Sequence, residues 1–325
     1  MQKVQNTDNF VLRDVNSKGR VRPWREKKLK THALSNSYVR IGKKNKALRV
    51  YKCGTYLEFI KSSSNERLKL HRANFCKVRL CPVCAWQKSL SVFRELSRAM
   101  DIAQKEDKRL IPLFLTLTVK NCTGDALSST LDTIFHGWNR FMSNTKMKRI
   151  IKGWFRSLEV TYNRQNDTYH PHVHVILLVD KGYFAKGNKD YMKTEDWVKV
   201  WRKSLRLDYD PICDIRCVKM KGKQGKKAVA EVSKYTVKDV DYLTGLAELT
   251  DKVVFVLDSA LHRRRLYAYG GVLKEIAKRL EAERKAQRME EMKEEEEAIR
   301  DDVESFAQTI LAYRWDALHG NYFLH

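Results

Sequence analysis

The spacing of apolar residues changes period several times along the chain, and each change marks an element. Residues 110–119 (LIPLFLTLTV) are apolar and partly alternating, which predicts a strand. Over 125–143, Leu127, Leu131, Ile134 and Trp138 recur at helical spacing and share one face. Strands are predicted at 154–162 and 169–179, joined by a polar turn at 163–168 of the kind that links antiparallel neighbours. A helix over 194–205, with Thr194 as its cap, a strand over 212–220 and a helix over 226–242 complete the series. The order β-α-β-β-α-β-α is a ferredoxin-like (RRM-like) split arrangement. It implies an α+β fold, an antiparallel sheet with helices on one face and one extra helix.

The flanks read differently. Residues 1–45 are basic and lack periodicity. The stretch RVRPWREKKLK has Trp24 as its one large anchor and reads as an arm, in part helical. Residues 46–106 hold a cysteine cluster and then a helix over 93–106, and 107–245 form the core domain. Residues 246–325 are expected to be a helical C-terminal extension. No proline follows Pro211, 273–304 lacks glycine, and 290–297 is acidic, which suits one long surface helix or a helix pair.

The chain has 325 residues, a soft prior of about two domains, and its 43% hydrophobic content allows a sizeable core. Charge changes the picture: 64 basic against 39 acidic residues leave +25, which a polyanionic partner, nucleic acid above all, would relieve. No apolar run of about 18 residues predicts a membrane span. The polar N-terminus lacks a signal-peptide core, so a cytoplasmic location is expected. Seven cysteines in such a chain point to metal sites rather than disulfides.

The sharpest chemical signal is His170-Pro171-His172-Val173-His174, ahead of the apolar run VILLV. On a strand the three imidazoles share a face with Cα atoms about 6–7 Å apart, close enough for two to converge on one ion. Glu159, on the strand that the turn folds back, is the candidate third ligand. Asp167, in the turn, is the alternative, and His170 is a further one. Imidazoles with a carboxylate suit a divalent ion, Mn²⁺ or Mg²⁺ once the site hardens. Cys76-x4-Cys81-Pro82-Val83-Cys84 offers three thiolates to a structural Zn²⁺, with Cys53 as the fourth and His71 as the alternative. On the last helix Glu231 and Tyr235 lie four apart and share a face. Lys234 and Lys238 flank the tyrosine and could favour its phenolate or hold a phosphate, and Tyr242 is the reserve tyrosine. The basic turn with Lys219, Lys221 and Lys223, the loop with Tyr183 and Phe184, and Arg263-Arg264-Arg265 are candidate DNA contacts.

With its His172-Val173-His174 strand and an FLTLT strand at 114–118, the chain resembles the HUH endonuclease superfamily. Glu231-x3-Tyr235 narrows the resemblance to single-tyrosine rolling-circle plasmid replication initiators, in which similar cysteines also precede the first motif. The resemblance implies that His172, His174 and an acidic or third histidine residue hold one divalent ion. It implies that Tyr235 forms a 5′-phosphotyrosine and leaves a 3′-hydroxyl, and that Glu231 activates water at termination. The implied partners are plasmid origin DNA, supercoiled or as a single-stranded hairpin, and the host helicase and polymerase machinery, with room for a homodimer. A mobilisation relaxase or single-tyrosine transposase shares the histidine pair and the tyrosine. A non-catalytic zinc-dependent DNA-binding repressor would explain the charge and cysteines but leave the histidines idle.

Overall fold

The elements in chain order begin with α1 (Trp24–Arg40), α2 (Lys44–Tyr51), β1 (Tyr56–Lys61), β2 (Leu68–Ala73) and α3 (Pro82–Glu106). Next come β3 (Leu110–Thr118), α4 (Gly124–Ser143), α5 (Thr145–Ile150), β4 (Ile151–Asn163), β5 (Thr168–Asp180), α6 (Thr194–Leu205), β6 (Cys213–Cys217) and α7 (Lys223–Val232). The chain ends with α8 (Asp239–Tyr242), α9 (Ala247–Ala260), β7 (Tyr267–Gly271), α10 (Val272–Asp301), β8 (Ile310–Asp316) and β9 (Asn321–Leu324). These ranges come from a computed structural model that describes residues 10–61, 68–218, 223–234, 236–301 and 310–325. The fold is α+β with antiparallel sheets. It divides into two compact units, Met1–Trp86 with Lys285–His325, and Gln87–Arg284.

In the first unit the sheet order is β2-β1-β8-β9. Trp24, expected in an arm, opens α1. Its ring packs edge-on against Phe59 at 6.0 Å and Trp86 at 4.8 Å, and its indole N–H donates to Asp14 at 2.8 Å. The expectation of a helical C-terminal region holds for α10 but not for 310–324, which form a hairpin turned at Gly320 (φ +56°). β8 then pairs with β1. Charge density over the preceding helix masks the apolar strand pattern that follows it.

In the second unit the order is β6-β3-β5-β4-β7, so β5 is central and β7 adds a fifth strand. Helices cover both faces rather than one. On one side Trp138 of α4 meets Trp154 at 5.0 Å, and Phe141 meets Trp197 and Trp201 of α6. On the other, Leu96 of α3, Val229 of α7 and Leu273 of α10 cluster with Phe114, Ile176 and Phe155. Thr194 does not cap α6: the cap is Lys193, whose backbone N–H donates to Asp196 at 3.0 Å.

The helix expected over 226–242 is instead two. α7 ends at Val232, and α8 is a single turn after Lys238. Between them the Thr236 carbonyl accepts from Val160 N–H of β4 at 2.7 Å, and Val237 is buried. A carbonyl spent on a strand cannot serve a helix, and this outside bond takes the place of the intrahelical one. Among the described residues no helix is long and apolar enough to cross a membrane.

β7 lies close against β4. A Cβ on Gly270 would sit 2.1 Å from the Trp154 ring, which Trp138 already holds. Gly270→Ala is therefore expected to lower stability by about 1–3 kcal/mol through overpacking, read as a lower urea midpoint at unchanged m-value.

Candidate active site

Three strands carry one polar patch in successive rows on the α7-bearing face. The row Phe114–Ile176–Phe155 is apolar and packed. The next is Thr116–His174–Ser157, and the one beyond is Thr118–His172–Glu159. The side chains converge: His172 Nε2 lies 3.1 Å from His174 Nε2, and Glu159 Oε2 lies 3.0 Å from His174 Nε2 and 3.6 Å from His172 Nε2. The three ligand atoms fall within 4.8 Å of one another, so the group could hold a metal ion.

The surroundings fix the orientation of both rings. His172 Nδ1–H donates to the His170 carbonyl at 3.2 Å, which leaves the Nε2 lone pair facing the cluster. His174 Nδ1 meets the Thr116 hydroxyl at 3.2 Å, a partner that can accept its proton when Nε2 is a ligand. Glu159 is 5% exposed. Burial opposes its ionisation, but the imidazoles of His172 and His174 beside it outweigh this and hold the carboxyl well below the usual carboxylate range. Its other oxygen, Oε1, takes Lys238 Nζ at 3.3 Å. Two imidazoles and one carboxylate leave coordination positions open, as catalytic rather than structural sites do. The remaining candidates are elsewhere: His170 Nδ1 is held by Asn121 Oδ1 at 2.8 Å, and Asp167 pairs with Lys252 and the Tyr162 hydroxyl.

In the other unit Cys53, Cys76, Cys81 and Cys84 form a second cluster. The Sγ–Sγ distances are 3.5 Å for Cys53–Cys84 and Cys53–Cys81, and 3.6 Å for Cys76–Cys84. Tetrahedral Zn–S bonds of about 2.3 Å would set sulfurs about 3.8 Å apart, so the donor set fits such an ion. Backbone N–H groups of Cys76, Lys77 and Val78 point at the sulfurs at 3.3–3.4 Å. His71 is exposed on β2 and outside the cluster.

Tyr235 lies outside the described residues, as do Lys219 and Lys221, and Lys223 is described only as the start of α7. The shared face read for Glu231 and Tyr235 falls on a residue outside the described ones; α7 itself stops at Val232. The chain neighbours of Tyr235 are placed: Lys234 N–H donates to the Glu231 carbonyl, and Thr236 is tied to Val160, one residue along β4 from Glu159. Glu231 Oε2 pairs with Lys234 Nζ at 2.5 Å near the surface. Tyr242 is buried. Tyr183, read as a DNA contact, is also buried, with its hydroxyl donating to the Met192 carbonyl and accepting from its N–H. Phe184 and Tyr191 are the exposed aromatics of that loop. Sequence reasoning missed Thr116, whose place opposite His174 follows from β3–β5 register alone.

A family model described as "Replication protein" matches residues 67–323. The chain belongs to the replication protein family. A relative named "Protein rep" from Bacillus amyloliquefaciens is 38% identical over 341 residues, 98% of each chain. Another "Protein rep", from Streptococcus pneumoniae, is 39% identical over 282 residues, 86% of each chain. A third, from Lentilactobacillus hilgardii, is 35% identical over 318 residues, 97% of this chain and 98% of its own. No solved structure matches the chain significantly.

Within this replication protein, Thr116→Val is expected to weaken Mn²⁺ binding at the histidine pair by about 10–100-fold, because it removes the ring's outer partner. Asp167→Asn should leave that affinity unchanged. An EPR titration of free Mn²⁺ reads both.

Proposed function

We propose that the chain is a rolling-circle plasmid replication initiator of the HUH type, a nickase acting at the plasmid origin. The observation that carries this is the convergence of His172, His174 and Glu159 on the central strand face of a replication protein. The strand order, with two crossover helices on one face, supports the HUH assignment.

His172 Nε2, His174 Nε2 and a Glu159 oxygen would hold a divalent ion, Mn²⁺ or Mg²⁺. Such an ion supplies Lewis-acid polarisation of the scissile phosphate. Tyr235 is the nucleophile: its Oη gives its proton to solvent and bonds to phosphorus, the P–O3′ bond breaks, and the departing 3′ oxygen takes a proton from water. The products are a 5′-phosphotyrosine and a 3′-hydroxyl primer for the host helicase and polymerase machinery. The Thr236–Val160 bond supports this role, because it tethers the residue after Tyr235 to the residue after Glu159. A free tyrosine has a pKa of about 10 and needs help to lose its proton. Lys234 and Lys238, on either side, supply positive charge for the phenolate or the phosphate. Glu231 takes the proton from the water that ends the cycle, once its exposed pairing with Lys234 opens. The four cysteines hold a structural Zn²⁺.

Tyr235→Phe is expected to bind origin DNA and form no covalent adduct on a supercoiled origin plasmid with Mn²⁺. An adduct undiminished on denaturing gels would exclude Tyr235. Glu231→Ala should nick normally and fail to terminate by hydrolysis; lost nicking would assign Glu231 another role. Cys81→Ser should lower bound zinc, measured by mass spectrometry, and lower the melting temperature, since structural zinc sites contribute folding energy outright.

A further inference from the structure

Residues 181–193, between β5 and α6, carry an aromatic cluster that the chemistry proposed above does not use. Tyr183 is its buried base, with its hydroxyl fixed at both the N–H and the carbonyl of Met192. The Phe184 ring centroid lies 4.9 Å from that of Tyr183 and the Tyr191 centroid 5.4 Å, and the two outer rings are 6.4 Å apart. Yet Phe184 is 41% and Tyr191 48% exposed. One exposed ring on a surface is ordinary, whereas two adjoining ones form a patch that asks for a partner.

The loop holds these rings outward by its own bonds. Asp180 Oδ1 accepts from the Gly182 N–H at 2.8 Å, and Asn188 Nδ2 donates to the Gly182 and Tyr183 carbonyls at 2.8 and 3.2 Å. Asp190 is gripped by Arg149 of α5 at 2.8 Å. A ligand that stacks on rings already in place costs them little conformational entropy. The charge around the rings has one sign. Lys181, Lys186, Lys189 and Lys193 are all exposed. Asp180 and Asp190 are already paired with Arg109 and Arg149, and among the described residues none of the four ammoniums pairs with a carboxylate. Aromatic faces ringed by unpaired cations match a polyanion that also has flat apolar faces. A duplex offers the phosphates but hides its base faces, and an unpaired strand offers both.

We propose that Phe184 and Tyr191 are a stacking platform for unpaired bases of single-stranded DNA, with the four lysines on the flanking phosphates. The choice of DNA rests on the replication protein family, not on nicking. The platform is a separate site from the metal patch: Asp180 lies six residues beyond His174 on β5, about 20 Å along the strand. It holds a strand away from the histidines and without sequence preference, because every base has a π-face.

The test uses the full chain without added Mn²⁺, so that its outcome stands whether or not the chain nicks. Fluorescence anisotropy follows an unstructured 20-mer and an abasic strand with the same number of phosphates, each against salt. Phe184→Ala combined with Tyr191→Ala should weaken the 20-mer by about 10-fold or more, with the salt slope and the abasic strand unaffected. Lys186→Gln combined with Lys189→Gln should weaken both strands and lower the salt slope by about 0.7 for each lysine lost. Tyr191→Phe keeps the ring and should bind as wild type. If the double alanine variant melts lower than wild type, Phe184→Leu with Tyr191→Leu takes its place, since leucine keeps apolar contact with Tyr183 and lacks the π-face. Wild-type affinity of the aromatic variant for the 20-mer overturns the proposal and assigns the rings to a protein partner. An equal loss on the 20-mer and the abasic strand also overturns it, because the rings would then act on the loop and not on bases.

Discussion

The pairing of β4 and β3 on either side of β5 sets Glu159 and Thr118 opposite His172, and Ser157 and Thr116 opposite His174. The side-chain period of a strand is two. A slip of one residue would turn every member of the cluster toward α4 and bring Val173 and Val175 onto the α7 face. Burial resists the slip from both sides, since Val173, Val175, Leu177 and Ile176 are all core residues. The 163–168 turn fixes the same register locally. Asn163 Oδ1 accepts from the N–H groups of Gln165 and Asn166, and Asp167 takes a left-handed backbone (φ +50°). The chemistry of the patch thus depends on hydrophobic pairing that continues the same strands into the core.

The two clusters handle buried charge differently. Glu159 is ionised against its burial by two imidazoles and one ammonium. The cysteine cluster is a closed set of soft donors. The fully buried Lys28 donates to the Cys53 and Tyr51 carbonyls nearby. Burial pushes the Lys28 pKa down to about 8, while the thiolate charges of Cys53, Cys81 and Cys76 pull the other way. A cation buried beside these three sulfurs offsets charge that thiolates would otherwise carry alone.

The histidine strand was legible because period-two patterning and metal chemistry speak through the same residues. The C-P-V-C step was legible for a similar reason, and Cys53 follows as the soft donor left to complete the set. The break after Val232 was not. Its cause is a hydrogen bond to Val160, more than seventy positions away in the sequence, and helical spacing alone cannot register it. Tyr183 was misread because a basic loop suggests exposure, whereas its hydroxyl finds both backbone partners at Met192 inside the fold. The strands at 267–271 and 310–324 were missed for a related reason. They are short, and each makes sense only beside its partner, β4 for β7 and β1 for β8.

The row Phe114–Ile176–Phe155 lies directly beside the row that holds His174. An ion bound by Glu159, His172 and His174 would therefore grip the same strands that the hydrophobic core grips, one step further along. Occupancy and folding then become linked equilibria. An ion present at a hundred times its dissociation constant adds about 2.7 kcal/mol to the folded state. The concentration of free cation in the cell would in this way set part of the lifetime of the folded protein.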